Sequence, residues 1–206
     1  MEFIICLLIG YLFGSVSLAA VMSRLTKVSL RNNGTGNLGA TNTFLVIGKG
    51  YGVIVMLFDI AKAFAASRIA AALFPGLAVS GVLAGLGAVL GHIFPFYMKF
   101  SGGKGLAAFG GMVLAFDPAI FLMLLAIALV LMVIVNYSAA MPYSAAILFP
   151  LLVWIRLKSV AAILITSAAS VLIMIKHAEN ITKARNGTDV KVREFIKTEL
   201  FSKKKH

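Results

Sequence analysis

The chain has 206 residues, 61% of them hydrophobic and 13% charged, with a mean hydropathy of +1.00. Soluble domains carry about 25% charged residues, whereas between Leu106 and Ile155 the only charged side chain here is Asp117, so a water-soluble protein is excluded. The lone Cys6 excludes a disulfide scaffold, the high apolar content excludes disorder, and the 19 glycines lack the three-residue period of collagen.

A spanning helix needs about 20 mostly apolar residues. The first apolar run covers 3–22, between Glu2 and Arg24, and has no basic segment ahead of it, so it is predicted as a retained helix rather than a signal peptide. The second covers 51–74 and stops at Pro75-Gly76. The third, 77–96, ends in His92-Ile-Phe-Pro-Phe. After a short polar patch, 106–116 is only eleven residues long and is closed by Asp117-Pro118. Such a run cannot cross a bilayer unaided, so a short helix is predicted whose ends sit in protein or in a water-filled cavity. Three more runs follow at 119–135, 139–154 and 160–175.

Loop charge sets orientation. With the N-terminus outside, the inner loops and tail hold fifteen Lys or Arg and the outer loops hold Arg156 and Lys158, leaving aside Lys62 and Arg68 within the second run. That is a clear positive-inside bias. The net charge of +12 is thereby accounted for by a cytoplasmic membrane face, and nucleic acid is not expected as a partner. The predicted fold is an all-α membrane protein, a bundle of about seven transmembrane helices with its N-terminus outside and its C-terminus cytoplasmic. Residues 1–206 form a single polytopic domain, with a polar cytoplasmic tail from about 177 that ends in Lys203-Lys-Lys-His206.

The unusual polar sequence all falls on the inner side. In the stretch from Arg31 to Asn42, Gly34, Gly36 and Gly39 alternate with Thr35, Asn37, Thr41 and Asn42. Glycines let backbone N–H groups approach an anion and can shape a concave nest for it, although the same composition also makes a plain flexible loop. The second stretch holds His92 and then Gly102-Gly103-Lys104-Gly105, which opens the short helix. Free N–H groups, a positive helix end and an ammonium at one point suit phosphate. This is not a Walker A loop, because Met98 stands at its first glycine and Gly105 at its hydroxyl ligand, so ATP hydrolysis is disfavoured. His92 is read either as an interfacial histidine or as part of that site.

The third stretch, directly after the last run, carries His177, Glu179, Asn180, Lys183 and Arg185. On a helix, His177 and Asn180 share a face, to bind a polar headgroup or merely to snorkel at the membrane edge. Asp59 and Lys62 lie three apart inside the second run. A structural ion pair is the first expectation for them and a proton pathway the second. Serine-hydrolase, zincin and multi-thiolate metal motifs are absent, as is the His-x-x-x-x-Asp pair of one large acyltransferase class. No metal or organic cofactor is expected.

Together these stretches resemble the bacterial acyl-phosphate:glycerol-3-phosphate acyltransferase family, integral membrane enzymes of phospholipid synthesis. The matching residues are Gly14-Ser15-Val16-Ser17, then Gly34-Thr35-Gly36-Asn37-Leu38-Gly39-Ala40-Thr41-Asn42, then Asp59 and Lys62. They continue with Gly91-His92-Ile-Phe-Pro95 and Phe100-Ser-Gly-Gly-Lys-Gly105, and close with His177, Asn180, Ile181, Gly187, Thr188 and Asp189. The resemblance implies transfer of a fatty acyl group from acyl phosphate to glycerol 3-phosphate. It implies a seven-helix bundle in the bacterial inner membrane, with the active site on the cytoplasmic side. His177, Asn180 and Thr35 are the expected catalytic residues. Gly34, Gly36, Asn37, Gly39, Thr41, Asn42, His92, Gly102, Gly103, Lys104, Gly105 and Lys183 are expected to bind substrate phosphate. The expected partners are the two substrates and membrane lipids, and a monomer is compatible with the sequence. The chain departs from the family pattern at Ser17, Thr35, Lys183 and Asp189, at Leu45 in place of Arg, and at Asn136, Ala139 and Pro142 in an Arg-Tyr-x-Ser-x-x-Ser segment. Those losses, with Asp59 and Lys62, frame a second expectation: a non-catalytic paralogue acting as a transporter or lipid-binding protein.

Overall fold

The structure, a computed structural model, describes residues 1–188 and 191–198. Over these residues it contains helices and no strand. The first run is not one helix. It divides into α1 (Glu2–Ser15) and α2 (Leu18–Leu25), with Ser17 capping α2 by accepting from the Ala20 N–H. A break in an apolar segment frees backbone groups that lipid cannot satisfy. Here the protein satisfies them. The Tyr97 hydroxyl donates to the Ser15 carbonyl (2.6 Å) and accepts from the Ser17 N–H (3.1 Å), and the Lys62 ammonium donates to the Val16 carbonyl (2.7 Å). The Gly14–Ser17 motif is therefore a helix break.

The glycine-rich stretch leads into a short α3 (Ala40–Val46), followed by α4 (Lys49–Leu73) and α5 (Ser80–Ile93). A 3-10 turn (Phe96–Met98) precedes α6 (Leu106–Phe116), then come α7 (Pro118–Val135), α8 (Ala140–Leu157), α9 (Val160–Arg185) and α10 (Val192–Ile196). Among the described residues, five segments are long and apolar enough to cross a membrane: Glu2–Leu25, Ser80–Met98, Pro118–Val135, Ala140–Leu157 and Val160–Arg185. The expected seven includes α4 and α6. At about 1.5 Å per residue α4 is long enough, but it carries Lys49, Asp59, Lys62 and Arg68. The eleven residues of α6 reach only about 16 Å.

Close helix contact comes from small residues. A Cβ on Gly10 or Gly14 would strike the backbone of Ala84 or Ala88 on α5, and one on Gly87 or Gly91 would strike the backbone of Leu7 or Tyr11 on α1. The two helices thus meet backbone to backbone through small residues four apart, a seam that needs no hydrophobic effect to hold in lipid. Gly111 lets α6 approach the Ile60 carbonyl of α4 in the same way. Phe109, Met112, Phe149, Val153 and Ile173 fill the core between α5, α6, α8 and α9.

The two ends of the bundle differ. At one, Asp117 caps α7 by accepting from Ala119 and Ile120, and its other oxygen accepts from Arg156 in the last turn of α8 (2.7 Å). The Ile120 N–H, then Arg156, hold this carboxyl below its ordinary value. At the other end lie the polar stretches. The polar sequence from 177 continues α9 for nine residues to Arg185. Asn136 ends α7 in a left-handed conformation. There Arg193 donates from its backbone N–H to the Asn136 side chain, and from its guanidinium to the Val133 and Ile134 carbonyls. The basic end 203–206 lies outside the described residues.

Candidate active site

The polar groups of the glycine-rich stretch divide into two sets. Asn42 is fully buried, donates to the carbonyls of Leu30 (2.8 Å) and Asn33 (3.2 Å), and accepts from the Thr35 N–H (2.7 Å). Thr43 is buried as well and donates to the Gly39 carbonyl. These two hold the loop. A Cβ at Gly34, whose φ is +62°, would strike the Asn42 side chain, so only glycine closes the turn this tightly. Thr35 and Thr41 are exposed, Asn37 is half-buried, and their side chains make no hydrogen bond among the described residues. They remain free to meet a ligand.

The second stretch folds back on the first. Arg31 donates to the Ser101 hydroxyl (2.9 Å) and to the Ser101 carbonyl (2.6 Å). The Gly102 and Gly103 N–H groups donate to the Ile93 and His92 carbonyls. Gly103 lies so tightly between the His92 ring and the Leu38 carbonyl that a Cβ would overlap both. Gly105, with φ of +87°, sits at the start of α6 against Ile93 and Ile173. Arg31 was not expected as a site residue, although an arginine opening the loop and a serine before the glycine pair were visible in the sequence.

His92 belongs to a buried cluster. Lys62 donates to Asp59 Oδ1 (2.7 Å) and lies 3.2 Å from His92 Nδ1, in addition to its bond to Val16. His92 Nδ1 also lies 3.4 Å from Asp59 Oδ1, so the ring meets both partners of the ion pair through this one nitrogen. The Asp59/Lys62 pair is the structural ion pair that was the first expectation.

The third stretch joins through Lys104, which donates to Asn180 Oδ1 (2.5 Å) and acts electrostatically on His177. His177 is 5% exposed, and its Nδ1 lies 2.8 Å from the Ile173 carbonyl. A carbonyl only accepts, so Nδ1 carries the proton and Nε2 keeps a lone pair. Lys176 stacks over the Phe94 ring at 4.6 Å, which ties α9 to the end of α5. Lys183 is not brought in by any contact. It is exposed and paired with Glu179 at 2.7 Å. Asp189 lies outside the described residues. One turn beyond Asn180, an apolar groove of about 290 Å³ runs between Val135, Tyr137, Ala139, Ile181 and Ala184. Leu45 is exposed on α3, and no group of three or more His, Cys, Asp or Glu suited to a metal occurs among the described residues.

Known proteins are similar to this chain in sequence and in fold. The family model described as glycerol-3-phosphate acyltransferase matches residues 4–187. A glycerol-3-phosphate acyltransferase of Coxiella burnetii is 39% identical over 94% of this chain and 100% of that protein. One from Enterococcus faecalis is 34% identical over 99% of this chain and 98% of its own. The crystal structure of PlsY (YgiH), an integral membrane glycerol 3-phosphate acyltransferase, in its glycerol 3-phosphate form superposes with a TM-score of 0.88 at 30% identity, covering 98% of this chain and 100% of that one. With the family model matching residues 4–187 and relatives and a solved structure matched over nearly their full length, the chain belongs to the glycerol-3-phosphate acyltransferase family.

Proposed function

We propose that the protein transfers a fatty acyl group from acyl phosphate to glycerol 3-phosphate, releasing 1-acylglycerol 3-phosphate and inorganic phosphate. The observation that carries this reading is the meeting of the three polar stretches at one end of the bundle. Arg31 reaches Ser101, Gly103 packs on Leu38, and Lys104 bonds Asn180. Two phosphate substrates need two anion-binding surfaces side by side, and glycine-rich backbone with Lys104 and Arg31 offers them.

Acyl phosphate is an activated mixed anhydride, so the protein has mainly to position it, exclude water and stabilise charge. The glycerol hydroxyl oxygen attacks the acyl carbonyl carbon, the bond from that carbon to the phosphate oxygen breaks, and phosphate leaves. The hydroxyl proton passes to His177 Nε2 or to a substrate phosphate. Asn180 and Thr35 orient the acceptor. Gly34, Gly36, Asn37, Gly39 and Thr41 with Gly102, Gly103, Lys104 and Gly105 cradle phosphate, while Asn42 and His92 hold these loops in place. Lys183 draws anions toward the site from its rim. The apolar groove beside Asn180 accepts the acyl chain. No serine nucleophile and no cofactor enter the scheme. The site faces the cytoplasm in a bacterial inner membrane, with α4 and α6 completing seven membrane-embedded segments, the N-terminus outside and one copy of the chain sufficient. A transporter reading loses its support, because Lys62 is fully engaged in closing the α1–α2 break.

The test is product formation. Purified protein given acyl phosphate and radiolabelled glycerol 3-phosphate is expected to make lysophosphatidate without acyl-CoA or acyl-carrier protein. Folded protein that forms none would overturn the reading.

A further inference from the structure

The end of the bundle opposite the polar loops carries a cation without a counterion. Arg68 lies five residues before the end of α4, about 8 Å along the helix from Leu73. It is exposed and makes no ion pair or hydrogen bond with any described residue. The acid–base pair at this end, Asp117 with Arg156, is closed on itself. An arginine in the outer part of a membrane-embedded helix calls for an anionic partner.

Three further features converge on it. Ser67 and Arg68 line a cavity of about 170 Å³, together with Ser80, Gly81, Met112 and Phe116. Ser67 is 2% exposed, and its hydroxyl has no hydrogen-bond partner, although a buried hydroxyl ordinarily finds one. The start of α5 opens onto the same cavity. Its N-cap, Val79, supplies no side-chain acceptor, and the Gly81 and Val82 N–H groups have no acceptor among the described residues. A positive helix end, two free N–H groups, a buried hydroxyl donor and a guanidinium around one cavity are donors without an acceptor. The complement is a tetrahedral oxyanion. Met112 and Phe116 supply an apolar wall on α6.

We propose that this end of the bundle is a second phosphate site, separate from the active site, which binds the headgroup phosphate of an acidic phospholipid. Arg68 and the α5 N–H groups hold the phosphate oxygens, Ser67 donates to one of them, and the apolar wall lies along the start of the acyl chains. The site depends on the membrane setting of the chain and not on its catalytic chemistry.

The experiment uses the full chain in nanodiscs that mix phosphatidylglycerol with phosphatidylcholine. Native mass spectrometry reads the lipid retained by the parent, Arg68→Gln and Ser67→Ala. Lys104→Met serves as a control for phosphate at the active site, and acyl transfer checks that each of the first three is folded. Retention of phosphatidylglycerol over phosphatidylcholine is expected in the parent and in Lys104→Met. In Arg68→Gln it is expected to fall about tenfold, the scale of one lost charge-assisted hydrogen bond, and in Ser67→Ala by less. Inorganic phosphate is the second arm. If millimolar phosphate displaces the lipid, or raises the unfolding midpoint in an Arg68-dependent way, the site stands with free phosphate as an occupant. Equal retention of both lipids, unchanged in active Arg68→Gln and without an effect of phosphate, would overturn the proposal.

Discussion

Lys104 donates to Asn180 and so joins the glycine turn directly to α9. An ammonium among phosphates keeps its proton, because the neighbouring anions favour the charged form. Its expected work is therefore electrostatic. Lys104→Met should lower kcat/KM by about 10- to 100-fold, the worth of a charged hydrogen bond, and Lys104→Arg should retain more. A Lys104→Met enzyme with parental kinetics would remove this side chain from the site. The glycine-rich stretch offers a sharper contrast. Thr35 presents an unpartnered exposed hydroxyl, whereas Asn42 is buried with both ends of its amide engaged. Thr35→Ala should leave the unfolding midpoint in detergent near the parent and reduce turnover. Asn42→Ala strands buried backbone partners at about 1–3 kcal/mol each, and should lower the midpoint and activity together. Equal midpoints for the two variants would contradict this division of labour.

At the scale of elements, the break between α1 and α2 shows how far the sequence could be read. The apolar run 3–22 is continuous by composition, and nothing local to it signals that a lysine 46 residues away donates to Val16. The break is a tertiary event, closed by Lys62 from α4 and Tyr97 from the turn after α5. For the same reason the partners of Asn42 and His92 inside the fold are not visible in their motifs. Motif spacing shows which residue types gather, but not which of them the fold has already engaged. The ends of α4, α6, α7 and α8 were legible to within a few residues, because Gly, Pro, Asp and charged residues interrupt the apolar pattern there. The seam of α1 against α5 was also written in the sequence, as Gly10 with Gly14 and Gly87 with Gly91. The break itself supplies a prediction. Lys62→Met would leave Asp59 buried without its cation and two acceptors unmet, at a cost of about 3–5 kcal/mol. Thermal unfolding in detergent should show a large fall in midpoint. A stable Lys62→Met protein would mean that the pair is not structural, and would reopen the proton-pathway reading.

At the scale of the whole molecule, the architecture and the charge distribution make one statement about direction. Loop 26–39, the glycine turn, the end of α7 and the polar end of α9 come together at one end of the bundle, as the bonds of Arg31, Lys104 and Arg193 record. Asp117, Arg156 and the α4–α5 turn lie at the other. By sequence, fifteen Lys and Arg fall in the stretches expected at the first end and in the tail, whereas those expected at the second hold Arg156 and Lys158, with Lys62 and Arg68 on α4 left aside. The proposed orientation, with the basic end in the cytoplasm, rests on this asymmetry, because Lys and Arg in short loops resist translocation. Cys6 is fully buried, so Cys6→Ala gives a background for labelling with single added cysteines. Cysteine at Asn33, Ser101 or Asn186, all exposed, should resist an impermeant thiol reagent in intact cells and react once the membrane is opened. Cysteine at Gly76, exposed in the turn between α4 and α5 with no atom near its Cβ position, should react from outside in both conditions. Labelling of Asn33→Cys, Ser101→Cys or Asn186→Cys from outside would reverse the bundle. It would put both phosphate substrates on the wrong side of the membrane for an enzyme supplied from the cytoplasm.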